Sequence, residues 1–118
     1  MKRLAGLTIA VVLLSGAAVL WAQGDPKVVD AGKKLYDAQK CATCHTIAGK
    51  GGSMTKLYPL DGVATKTSAA DIRKWMTHPL EMEAKLEKKP TMKMSSKKYA
   101  FKDAEVDALV AYMLTLKK

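Results

Sequence analysis

After residue 24, apolar positions recur at helical spacing in three stretches. Val28, Ala31, Gly32, Leu35 and Tyr36 fall on one face of a segment opened by Asp25-Pro26, where Asp suits the cap and Pro the first helical position. The pattern predicts a helix ending just before Cys41. Ile72, Trp75 and Met76 share a face of a shorter helix that starts at Ser68 and halts at Pro79. Asp71, three residues after Ser68, stands where a capping box carries Glu. Glu81 to Lys89 has room for one or two further turns. Val106, Leu109, Val110 and Met113 form one face of a last helix, for which Asp103 is the expected cap. Gly49-Lys50-Gly51-Gly52 and Tyr58-Pro59-Leu60-Asp61-Gly62 read as turns, so residues 46–67 are expected to be an ordered loop region with little regular structure. Residues 88–98 are basic and non-periodic. With no internal repeat and no strand of convincing length, the expected fold is all-α: three to five short helices and two long loops.

The first 24 residues differ from all this. Met1-Lys2-Arg3 precedes an uncharged run rich in Leu, Ala and Val, with small residues at Ala22 and Gly24 where a peptidase could cut. Residues 1–24 are read as a signal peptide, with cleavage after Gly24 preferred to cleavage after Ala22. An uncleaved anchor spanning residues 4–22 is the rival reading, because that run is about long enough to cross a membrane. Either way, residues 25–118 lie outside the cytoplasm, in the periplasm or another exported location.

Of 118 residues, that leaves a single small domain. A chain of this size with so much loop buries too little apolar area to offset its conformational entropy comfortably, so something else should complete the core. The composition excludes an acidic disordered tail and a disulfide-rich scaffold, since there are only two cysteines and the formal net charge is +9.

Those two cysteines stand in Cys41-Ala42-Thr43-Cys44-His45, the attachment sequence of c-type haem. Two thiols three residues apart can each add to one haem vinyl group, and the adjacent imidazole then reaches the iron. Three other readings are weaker. A thioredoxin-like dithiol wants a βαβ context. A zinc site would need Cys41, Cys44, His45 and His78 together, at a spacing unlike a finger. A disulfide between Cys41 and Cys44 would close too short a loop to stabilise much. One haem c, attached through Cys41 and Cys44, is the expected cofactor.

From here the chain resembles the class I cytochromes c over residues 25–118. Gly32, Leu35 and Tyr36 look like that family's first helix, and Leu109-Val110-Ala111-Tyr112-Met113 looks like its last, which places Tyr112 on Gly32 and Tyr36. The resemblance implies a cytochrome c-like fold wrapped around the haem, with His45 as proximal ligand. Pro59-Leu60-Asp61-Gly62-Val63 is similar to the loop whose proline carbonyl accepts the hydrogen bond of that imidazole, which implies this role for Pro59 and haem packing for Leu60. Trp75 would cover the haem or bond a propionate, with Arg73 as a second propionate partner.

The sixth iron ligand is a choice among methionines, a histidine or an open site. Met76 and Met113 fall on helix faces that read as core, Met54 is too near Cys44 in sequence, and Met82 lies in a charged helical segment. Met92 and Met94 remain, in the irregular stretch before the last helix. Met94, followed by Ser95-Ser96, fits the family's ligand context better than Met92-Lys93, although the usual following proline is missing; Met92 is the alternative ligand. His78, before Pro79, suits a helix end better than the iron. Seven lysines and one acid lie between Lys85 and Lys102, around this loop. They would steer an acidic redox partner, or attract anionic lipid beside an uncleaved anchor. Export and few interleaved aromatics argue against nucleic acid. The expected function is single-electron transfer outside the cytoplasm, without substrate chemistry, by a monomer or by the haem-bearing subunit of a larger oxidoreductase complex.

Overall fold

The structure, a computed structural model, describes residues 24–118. Apart from Gly24, the expected signal or anchor lies outside the described residues. Helix α1 spans Pro26–Ala38; the Asp25 carboxylate accepts the Lys27 N–H at 2.8 Å, and Pro26 takes the first turn. Its exposed side carries the i,i+4 pairs Lys34–Asp30 (2.9 Å) and Lys33–Asp37 (3.5 Å), while Gly32 and Tyr36 are buried. The chain then leaves the helix through Lys40 at φ 55° and enters a 3₁₀ turn over Cys41–Thr43.

Residues 45–59 are more regular than the sequence pattern suggests. His45–Ile47 (β1), Lys50–Gly51 (β2) and Tyr58–Pro59 (β3) form a small sheet in the order β2-β1-β3. Strand β2 is antiparallel to β1, pairing Thr46 with Gly51, and β3 is parallel to β1, pairing His45 with Tyr58. Strands of two or three residues are too short to show alternation, which is why the sequence reads as loop. Gly51, at φ 94°, has no room for a side chain, because a Cβ there would lie 2.6 Å from the His45 carbonyl oxygen. The turn beyond β1 is held by the Asp61 carboxylate, which accepts the Ala48 N–H at 2.7 Å.

Helix α2 (Val63–Lys66) is tied to the carboxyl terminus by Gly62 N–H to the Lys118 carbonyl (2.7 Å) and Ala64 N–H to the Leu116 carbonyl (3.0 Å). Helix α3 (Ala69–Thr77) starts as expected, with Ser68 Oγ accepting the Asp71 N–H at 3.1 Å. Helix α4 follows over Pro79–Lys85, and a second 3₁₀ turn covers Met94–Lys97. Helix α5 runs Asp103–Met113. Its cap differs from expectation: Lys102 occupies the cap position, Asp103 is the first helical residue, and the Glu105 carboxylate accepts the Lys102 N–H at 2.8 Å. The glutamate reaches back from the third position as in a capping box, so Asp103 is free to face Arg73 at 3.7 Å.

Helices α1 and α5 make the most extensive contact in the molecule. A Cβ at Gly32 would fall 1.9 Å from the Ala108 carbonyl oxygen, so the two backbones meet there directly. Tyr36 and Tyr112 pack edge to face with centroids 5.6 Å apart, as the family resemblance implies. The core comprises Tyr36 and Ile72 with Val106, Leu109, Val110 and Met113 of α5. It is a small core, and it is open on one side.

Candidate functional site

That open side is a cavity of about 730 Å³, within the size range of small-molecule and cofactor sites. Tyr36, Ile72, Leu109 and Met113 belong both to the core and to its wall. An apolar group lodged there would finish the core, which is the deficit expected from chain length and loop content. Five of the chain's seven aromatic residues, Tyr36, Tyr58, Trp75, Tyr99 and Phe101, line it, and Tyr99 and Phe101 stack at 5.0 Å.

The chemistry enters from the α1 end. The 3₁₀ turn after α1 brings Cys41 and Cys44 to the cavity wall, and β1 places His45 beside them. Before haem attachment, burial pushes the Cys41 thiol up to about 11, so it is protonated near neutrality. The His45 ring is fixed by its Nδ1, which donates to the Tyr58 carbonyl oxygen at 2.9 Å. With the proton held at Nδ1, Nε2 keeps its lone pair for a metal. Burial lowers the His45 pKa below its ordinary value and outweighs the opposing effect of the Tyr58 carbonyl, so the imidazole is neutral.

The accepting carbonyl therefore belongs to Tyr58 and not, as expected, to Pro59. The parallel pairing of His45 with Tyr58 in β1 and β3 sets this register. Pro59 and Leu60 still line the cavity, and the Leu60 N–H is held by the Thr46 carbonyl at 2.8 Å. Trp75 lines it too. Arg73 does not: on the outer side of α3 it pairs with Asp107, through a hydrogen-bonded contact, and with Asp103. Two carboxylates one helical turn apart on α5 compete for it, so its expected role at a propionate is not supported. Lys40, Lys93 and Lys97 are the cationic side chains in the cavity lining.

Met92 and Met94 both line the cavity, as do Met76 and Met113. The Met92 N–H donates to Tyr58 Oη at 3.2 Å, and Met94 opens the second 3₁₀ turn. His78 is exposed, joins α3 to α4, contacts Thr77 Oγ1 at 2.8 Å through Nδ1, and does not line the cavity. The four residues of the zinc alternative are thus not brought together, and among the described residues no group of three or more His, Cys, Asp or Glu side chains could hold a metal ion. Two features have no counterpart in the sequence reading. Tyr36 Oη is buried without a hydrogen-bond partner, and Glu83 is buried at the cavity wall with Ser95 as its partner.

The donor set fits haem c: two thiols and an imidazole in Cys-x-x-Cys-His order, an apolar and aromatic cavity of cofactor size, and methionines in the same lining. Such a cavity belongs to a covalent haem protein. A family model described as Cytochrome c matches residues 29–117, and the chain belongs to the cytochrome c family. No curated protein and no solved structure gives a match. The chain carries one covalently bound haem c, on Cys41 and Cys44, and is a haem electron-transfer protein.

Proposed function

We propose that this cytochrome carries single electrons between redox partners outside the cytoplasm, with His45 and Met94 as the iron ligands and Met92 as the alternative to Met94. Bound haem supplies a reversible one-electron iron couple. The chain orients the proximal imidazole through Tyr58, encloses the cofactor in apolar and aromatic side chains, and offers a thioether from an irregular loop. The observation that carries this reading is the joint presence around one cavity of Cys41, Cys44 and His45 with the Met92–Met94 segment, while His78 stands outside.

The seven lysines between Lys85 and Lys102 are all exposed, and Lys93 and Lys97 reach the cavity lining. They favour a partner with an acidic docking surface. Export is supported by the charged start and apolar run of residues 1–24, and an uncleaved 4–22 anchor would hold the domain at the membrane. Among the described residues no helix is long and apolar enough to cross a membrane.

A second reading, the haem-bearing subunit of a larger oxidoreductase complex, is favoured by one feature. Met54 and Leu80, both outside the cavity lining, are 61% and 71% exposed, which a permanent partner would cover. Voltammetry of the haem-loaded protein, with carbon monoxide added to the ferrous form, tests the function. An electron carrier gives a reversible one-electron wave and no rapid carbon monoxide adduct. Rapid adduct formation would instead mean an open iron site and enzyme chemistry.

A further inference from the structure

Glu83 is the only buried acidic side chain among the described residues, with 6% of its surface exposed. Burying a carboxylate is expensive unless both oxygens are satisfied. Here a single residue satisfies them. The Ser95 N–H donates to Oε1 at 2.9 Å and the Ser95 hydroxyl donates to Oε2 at 2.8 Å. Ser95 is the residue after Met94, inside the 3₁₀ turn that Met94 opens.

The Glu83 main chain also anchors the start of this loop. Helix α4 ends at Lys85, and the Lys89 ammonium reaches back to the carbonyls of Glu83 (3.3 Å) and Ala84 (3.0 Å). Residues 86–95 therefore form a loop tied twice to the last turn of α4, with Met92 and Met94 in between. No strand or α-helix stiffens this loop. Its hold on the cavity depends on these ties and on the Met92 N–H bond to Tyr58 Oη.

We propose that the Glu83–Ser95 pair is the clasp that keeps Met94 over the haem, which makes Glu83 and Ser95 positioning residues that set how often the sixth ligand leaves the iron. The inference rests on the reading of Met94 as that ligand. Charge-assisted hydrogen bonds to a buried carboxylate are among the strongest side-chain bonds, and losing the Ser95 hydroxyl leaves the buried Oε2 without its donor. An external ligand such as imidazole binds ferric iron only in the fraction of molecules whose Met94 is detached. Its apparent affinity therefore reports that fraction directly.

The test is imidazole titration of the oxidised, haem-loaded protein, with the Soret band confirming haem attachment in each variant. Ser95→Ala and Glu83→Gln are each expected to raise imidazole affinity about tenfold or more. Ser95→Thr, which keeps the hydroxyl, should stay within about threefold of wild type, and the double variant should exceed the stronger single one only slightly, because both act on one pair. Val106→Ala, which opens a void in the core away from the cavity wall, should lower the melting temperature and leave imidazole affinity unchanged. That separates the clasp from general destabilisation. If Met94→Ala raises imidazole affinity while either Ser95→Ala or Glu83→Gln does not, the clasp is overturned and Met94 ligation stands. If Met94→Ala itself changes neither imidazole affinity nor the spectrum, Met94 is not the ligand and the clasp falls with it.

Discussion

Gly32→Ala should damage this protein despite improving a helix. In an exposed helix interior the change would stabilise by about 1 kcal/mol. At Gly32, however, the new Cβ would meet the Ala108 carbonyl oxygen at 1.9 Å, its carbon at 2.6 Å and Tyr112 Cβ at 2.9 Å. Two of these three atoms are backbone, so no rotamer change relieves the clash. Ordinary contact begins near 3.4 Å, and α1 and α5 must separate by roughly 1.5 Å. Overpacking of this kind costs ~1–3 kcal/mol, and opening the Tyr36–Tyr112 pair adds ~0.5–1.5 kcal/mol. Set against the propensity gain, the net loss is about 2 kcal/mol, or roughly 10 °C in melting temperature for a domain of this size. Thermal unfolding of the haem-loaded protein, followed by far-ultraviolet circular dichroism, measures it. Ala31→Gly, at the exposed neighbouring position, supplies the comparison and should lose only about 1 kcal/mol. A Gly32→Ala protein as stable as wild type, or more so, would refute the direct backbone contact of α1 with α5.

Other expectations concern pH, the proximal acceptor and charge. Burial pushes the Tyr36 phenol up from 10.0 to about 12, so the stability contributed by its neutral form is complete below pH 10 and is lost as pH rises towards 12; Tyr36→Phe should flatten that alkaline limb in denaturant titrations. At His45 the proton competes with iron for Nε2, so acid titration of the Soret band should show the proximal ligand leaving at low pH and not at high pH. In carbonyl-labelled protein, coupling through the His45 Nδ1–H hydrogen bond should reach the Tyr58 carbonyl carbon; coupling to the Pro59 carbonyl carbon would restore the role to Pro59. Reduction of an anionic oxidant such as ferricyanide should slow with rising ionic strength, and Lys97→Glu should weaken that dependence; a flat salt profile would mean the lysines do not steer encounter.

The parts of this molecule legible in its sequence are those where chemistry or packing is local. Cys41, Cys44 and His45 are adjacent, so their shared purpose is written in five residues, and the packing of Tyr112 on Gly32 and Tyr36 is what the resemblance of the first and last helices to those of class I cytochromes c implies. What escaped depends on register or on contacts across loops. The choice between the Tyr58 and Pro59 carbonyls is decided by a one-residue register between two very short strands. Arg73 turns to α5 because Asp103 and Asp107 lie one turn apart there, and that pairing spans thirty or more residues of chain. Asp103 gives up the cap because Glu105, two residues later, reaches the Lys102 N–H. Glu83 sits in a lysine-rich stretch that reads as solvated surface, and only the closed loop reveals Ser95 against it.

Methionine ligation is read most directly from the near-infrared spectrum of the oxidised, haem-loaded protein, recorded for the wild type and for Met94→Ala and Met92→Ala. Methionine sulfur bound to ferric haem iron gives a weak charge-transfer band. That band is expected in the wild type and in Met92→Ala, and is expected to disappear in Met94→Ala. A wild-type protein with attached haem and no such band would contradict methionine ligation altogether.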